Sequence, residues 1–273
     1  MPLREMAHIS MDDSPMFIPP RIPIEELAEA DQEQARHVDR LLMMLGAYVD
    51  RFSAALELID SSAEHRKIAK QKRDLDRKDP ELIKRDPNTP EKVQDAYKAK
   101  DNLLSTWQSI DQRDAIMTIW DFAKTVYEIR RSLERCKSLD DKVSKPQLEK
   151  VMAGLSKHFP DRKEARDTAA HPADFTSENP NAIEKHKLKT DFTAPGLSTV
   201  AGTFLFGATF EDGSVVFSHE GSTVQAKVNR ESLDALTSLR DEMYACFKEA
   251  AEPAVVKNLK AMTGRDQDES HRR

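Results

Sequence analysis

From Ile24 onward, apolar residues recur at helical steps: Leu27, Val38, Leu41, Leu42, Leu45, Val49, Phe52, Leu56 and Ile59, with charged residues between them. That period predicts a long amphipathic helix ending near Ser61 or Ser62. A second stripe, from Thr106 to about Cys136, carries Trp107, Ile110, Ile116, Met117, Ile119, Trp120, Ala123, Val126, Tyr127 and Leu133. It is the most apolar stretch of the chain and predicts the central core helix. Between the two, residues 64–100 lose the stripe and fill with charge, and Pro80, Pro87 and Pro90 interrupt any single helix. This segment reads as an exposed helical excursion plus a loop. Its bases could follow a phosphate backbone, but Asp74, Asp76 and Asp79 interleave with them, which favours a solvated face.

Ser144-Lys145-Pro146-Gln147 has the form of a capping box with proline in the first turn, and it opens a helix whose apolar side is Leu148, Val151, Met152 and Leu155. Asp161, with Glu164 three residues on, starts a short helix. Pro172 disfavours the α conformation at His171, so this helix ends at or just before the histidine. Residues 174–198 read as a polar loop. The period then changes to that of strands: Thr203 to Phe210, a turn at Glu211-Asp212-Gly213, Val215 to Phe217, a turn at Glu220-Gly221, and Thr223 to Val228. Asn229 caps a last helix with Leu233, Leu236, Leu239, Met243, Tyr244 and Phe247 on its apolar side. The fold class is therefore mainly α, a helical bundle with a small antiparallel β-meander before the last helix. Residues 1–23 form a proline-punctuated arm. Residues 24–250 form one helical domain with the charged excursion 64–100 and the meander 200–228. Residues 251–273 are a mostly disordered tail.

Composition narrows the function classes. Charged residues are 33% and aromatics 6%, and the net charge is −6. A domain that wraps duplex nucleic acid usually carries a basic excess, so any nucleic-acid contact here is local. No apolar run reaches the ~20 residues of a membrane span, so no membrane partner is expected. The N-terminus lacks the apolar core of a signal peptide. Cys136 and Cys246 stand far apart without metal-type spacing, which fits a reduced, cytoplasmic protein. No phosphate-cradling glycine loop, zinc motif or nucleophile elbow is present, and neither a cofactor nor a metal is expected.

The candidate chemistry lies in Arg166-Asp167-Thr168-Ala169-Ala170-His171. Arginine offers phosphate a permanent planar donor fork, and histidine moves protons near neutral pH. Metal-free RNA cleavage needs a base for the 2′-hydroxyl, a cation for the charge that builds on phosphorus, and an acid for the leaving 5′-oxygen. The bland reading is a surface arginine and a helix-ending histidine. Arg265 and His271 satisfy a slightly looser version of the same spacing in the tail. Asp167 could orient either partner, or be a solvated helix residue. Arg113 falls on the apolar stripe, four residues before Met117 and seven before Trp120, with Asp114 beside it. A charge there either forms a structural ion pair or lines a polar pocket with Asp114. The histidines at 8, 37, 65, 158, 186 and 219 are scattered and read as structural or surface residues.

The Arg166–His171 motif, beside a helical bundle, resembles the HEPN superfamily, whose members are often metal-independent ribonucleases. The stretch Arg113-Asp114-Ala115-Ile116-Met117-Thr118-Ile119-Trp120-Asp121-Phe122 is similar to a segment of uncharacterised bacterial HEPN-like proteins. The resemblance spans about residues 24–250, although these two short pieces carry it. It implies an RNA endonuclease in a toxin or defence setting, with Arg166 and His171 catalytic and Asp167, Arg113 and Asp114 in support. It also implies a homodimer that joins two Arg–His pairs into one site, RNA as substrate, and an inhibitory partner protein. The alternative it allows is a non-catalytic HEPN-like binding or scaffolding protein.

Overall fold

The structure, a computed structural model, describes residues 19–170, 184, 186–194, 197–203, 205, 207–210 and 212–251. Two 3-10 turns, Ile24–Glu26 and Glu29–Asp31, lead into helix α1, Gln32–Asp76. Then come α2 (Pro80–Arg85), α3 (Thr89–Leu133), α4 (Lys137–Asp140), α5 (Lys145–His158) and α6 (Arg162–Ala170). Strands β1 (Phe192–Ala194), β2 (Leu197–Thr199), β3 (Ala208–Thr209), β4 (Ser214–His219) and β5 (Ser222–Lys227) precede helix α7, Arg230–Cys246. The architecture is mainly α with small antiparallel sheets ahead of the last helix.

The frame is an antiparallel hairpin of α1 and α3, each 45 residues long. At 1.5 Å per residue each helix runs about 67 Å. Both helices extend past their expected limits. α1 continues beyond Ser62 to Asp76, and α3 starts at Thr89 rather than Thr106. The reason lies in the residues that join them. Arg66 Nε donates to Asp101 at 2.9 Å and its Nη1 to Gln108 at 3.1 Å. The Arg73 guanidinium lies 4.4 Å from the Tyr97 ring, and Arg77 Nη1 donates to Gln94 at 3.3 Å. Polar pairs thus continue the seam where the apolar stripe thins. Beyond Ser62 only Ala69 and Leu104 are buried in it.

In the other half of the hairpin the seam is apolar, with Val38, Leu42, Leu45, Phe52 and Ile59 meeting Ile116, Phe122, Val126 and Ile129 in one core cluster. α5 and α7 pack on each other, with Gly154 against Leu239, and Leu148, Leu155, Leu236, Met243 and Phe247 join the same core. Ser144 precedes α5 as expected, but its side chain makes no capping bond, so the capping box does not close. Asn229 does cap α7, its Oδ1 accepting from Ser232 N at 3.0 Å.

β3, β4 and β5 form a three-stranded antiparallel sheet. Along β4, Val215 and Phe217 join the main helical core, whereas Val216 joins a smaller cluster with Leu188, Leu205, Phe192 and Leu197. The alternation is that of a strand covered on both faces. The cover on the far face is the β1–β2 hairpin, which falls where a polar loop was expected. Gly213, at φ +78°, makes the turn into β4, and a Cβ there would stand 2.6 Å from the Val228 carbonyl oxygen.

Candidate functional site

α6 packs on α3 and is described as far as Ala170, and the stop expected at Pro172 lies outside the described residues. Arg166 projects from it onto Trp120 of α3, with the guanidinium carbon 5.7 Å from the ring centre. Arg166 Nη1 donates to Asp167 Oδ1 at 2.7 Å. The Arg166 Nε is buried without a hydrogen-bond partner, while the side chain as a whole is 34% exposed. The fork is therefore held by a ring beneath it and one carboxylate beside it, with about a third of the side chain open to solvent. His171, the other half of the motif, lies outside the described residues.

Arg113 and Asp114 do not join this arrangement or each other. Asp114 takes a two-pronged contact from Arg51 of α1, Nε to Oδ2 at 2.9 Å and Nη2 to Oδ1. That contact, favoured further by the charge of Asp121, raises the Arg51 pKa. Asp114 thus belongs to the hairpin, as a cross-strut between α1 and α3. Arg113 is exposed rather than on a buried stripe. Trp107 and Ile110, expected in that stripe, are likewise 51% and 58% exposed. Burial of α3 on this side comes from α6 and the sheet, whose cover begins at Gln112, buried and donating its Nε2 to Thr209 of β3 at 2.9 Å. Arg113 instead edges a groove of about 250 Å³ that also includes Thr106, Ile110, Ala169, Gly207 and Phe217.

The opposite side of α6 holds a cluster that sequence reading missed. Thr168 is two residues beyond Arg166, about 200° around the helix. Its hydroxyl donates to Glu164 O at 2.9 Å and lies 3.1 Å from His219 Nδ1 on β4. With the hydroxyl proton given to the carbonyl, His219 Nδ1 carries the hydrogen and Nε2 is the basic nitrogen. The His186 ring sits 5.3 Å from that of His219, and its Nδ1 accepts from Glu220 N at 3.4 Å. Thr168 and Arg166 point to different sides of α6, so this pair of rings does not join the Arg166 fork. No spacing in the sequence marks them, because strand pairing and the chain before β1 bring them together.

A second cleft, of about 320 Å³, opens where α5 meets α6, between His158, Arg162, Gln225 and Glu231. Arg162 is already engaged there, donating to Phe159 O and to the Tyr127 hydroxyl, each at 2.8 Å. Among the described residues, no group of three or more histidines, cysteines and carboxylates could hold a metal ion, and no helix is long and apolar enough to cross a membrane. No protein-family model, curated protein or solved structure matches the chain.

Proposed function

We propose that the chain is a HEPN-like, metal-independent RNA endonuclease. In this reading Arg166 holds the scissile phosphate and His171 moves a proton. What supports it is the presentation of Arg166: a partly exposed guanidinium beside Trp120, steered by Asp167. A fork fixed in this way loses little entropy when it takes a phosphate in two-point contact. The reaction balances without a metal. A base removes the 2′-hydroxyl proton, O2′ bonds to phosphorus, and the 5′-oxygen leaves with a proton from an acid. The products are a 2′,3′-cyclic phosphate and a 5′-hydroxyl. One Arg166–His171 pair supplies one histidine, so a second copy of the chain supplies the other, with RNA as substrate and an inhibitory partner holding activity in check in the cytoplasm. Arg113 and Asp114 are left to the hairpin; Asp167 steers the arginine.

The test is cleavage of varied RNAs in EDTA by wild type, Arg166→Ala and His171→Ala, each checked for an unchanged circular dichroism spectrum. Cyclic phosphate ends from wild type alone support the reading. Intact RNA with wild type shown by mass spectrometry to be free of bound protein refutes it. The Asp167 contact favours a second reading, a non-catalytic binding or scaffolding protein, because it neutralises part of the Arg166 charge. That protein would bind RNA or anionic peptide without cutting it.

A further inference from the structure

Among the described residues, no element covers one side of the hairpin. The Arg51–Asp114 contact marks which side it is, since both residues reach across from the same face of α1 and α3. Seven residues are nearly two helical turns. Leu58, seven past Arg51, and Trp107, seven before Asp114, therefore stand on that face at the same level. Leu103 and Ile110 flank Trp107 at four and three residues. All four are about half exposed: Leu58 55%, Leu103 50%, Trp107 51% and Ile110 58%. A contiguous row of this kind, in a chain with 33% charged residues, marks an interaction surface rather than scattered apolar exposure.

The same heptad steps place charges at the two ends. Toward α6 the face carries Asp111, Asp114 and Asp121 with Arg51. Toward the hairpin tip it carries Lys100, seven before Trp107, and Lys72, fourteen past Leu58. One end is net acidic and the other basic, so the face complements itself when reversed. We propose that its occupant is a second copy of this chain, stacked antiparallel about a two-fold axis at the level of Leu58 and Trp107. Each Trp107 then meets its own counterpart, Leu103 meets Ile110 of the other copy, and Lys100 comes opposite Asp114. A two-fold interface requires this kind of self-complementarity. Two helices wide and, from the level of Asp121 to that of Lys72, about 40 Å long, the face offers about 800 Å² in projection, the ~800 Å² that each partner buries in a standard interface. This inference goes beyond the ribonuclease reading and does not rest on it. Trp120 is thirteen residues from Trp107, so the pairing leaves the two Arg166 side chains about 40 Å apart. The contact that would join two Arg–His pairs is a different one.

Analytical ultracentrifugation and cysteine cross-linking test it on the full chain. Wild type should sediment as a dimer at tens of micromolar. Trp107→Glu should shift it to a monomer with unchanged helix content. Trp107→Cys and Leu58→Cys should each give a covalent dimer with a short bis-maleimide, since each residue faces itself across the axis. Leu75→Cys, 74% exposed near the tip, should not. A monomeric wild type, a dimer indifferent to Trp107→Glu, or cross-linking as strong at position 75 as at 107 would overturn the proposal. So would deletion of residues 1–18 or 252–273 exposing Trp107 to quenching, because the face would then be covered by the chain's own end.

Discussion

Tyr244 couples the last helix to the hairpin, and its ionisation can be used to read that coupling. Its phenol is 5% exposed and donates to the Leu42 carbonyl in α1 at 3.0 Å. Gly46 makes room for it, since a Cβ there would stand 3.2 Å from the phenol oxygen. Burial, against a smaller opposing effect of Arg240, pushes the Tyr244 pKa up from 10.0 to about 12. The folded value exceeds the unfolded one, so the stability tied to a neutral phenol is whole below pH 10 and is lost as pH rises through 12. Two units at 1.36 kcal/mol each give about 2.7 kcal/mol, of which about 1.4 kcal/mol is gone at pH 11. Tyr244→Phe cannot ionise. At pH 7 it should cost about 1 kcal/mol, the net worth of one hydrogen bond. The difference between wild type and variant should therefore shrink above pH 10, vanish near pH 11 and reverse beyond it. Urea unfolding of both proteins at pH 7, 9, 10.5 and 11.5 measures this, and the other bases titrate alike in both. A difference that stays constant across the series would refute the claim that folding holds this phenol neutral.

Three further outcomes follow from particular contacts. Gly213→Ala should destabilise by about 1–3 kcal/mol in urea unfolding, because a side chain at φ +78° would meet the Val228 carbonyl; an unchanged midpoint would mean the turn relaxes freely. Hydrogen exchange should be faster at residues 66–100 than at 115–130, since the distal seam buries only Ala69 and Leu104, and equal protection along α3 would show that the polar seam is as strong as the apolar one. If Arg166 acts on phosphate, Trp120→Ala should lower RNA cleavage about two- to fivefold, the worth of a partly exposed cation–ring contact, with Trp120→Phe near wild type; equal loss in both would remove the ring from the site.

The fold was largely legible because most of its helices declare themselves locally. Asn229 caps α7, and Gly213 and Gly221 take the left-handed conformations their turns require. The errors fall where tertiary partners override the local pattern. The apolar period fades after Ile59, so the helix was expected to stop at Ser61 or Ser62. It continues because Arg66 finds Asp101 and Gln108, partners 35 and 42 residues away. The β1–β2 hairpin was missed because its strands are three residues each and pack their apolar residues into a small cluster with Val216, Leu188 and Leu205.

For the site, the same distinction decides what a motif can say. The spacing of Arg166 identified a helix position but not a direction, and direction is set by what the helix rests on. Ala165, Thr168 and Ala169 are buried, so Arg166 is turned outward onto Trp120 while Thr168 is turned inward to His219. Arg113 and Asp114 were adjacent in sequence and were grouped for that reason. On a helix, adjacency means a 100° separation, and the two side chains go to different neighbours: Asp114 to Arg51, Arg113 to a groove beside the sheet. The exposed row of Leu58, Leu103, Trp107 and Ile110 escaped notice for the complementary reason. Its helical spacing is that of a core stripe, and only the absence of a covering element among the described residues distinguishes a core from a surface awaiting a partner. A periodic apolar stripe in this chain specifies that something packs there; whether the partner is the chain's own α6 or another copy depends on where along α3 the cover begins.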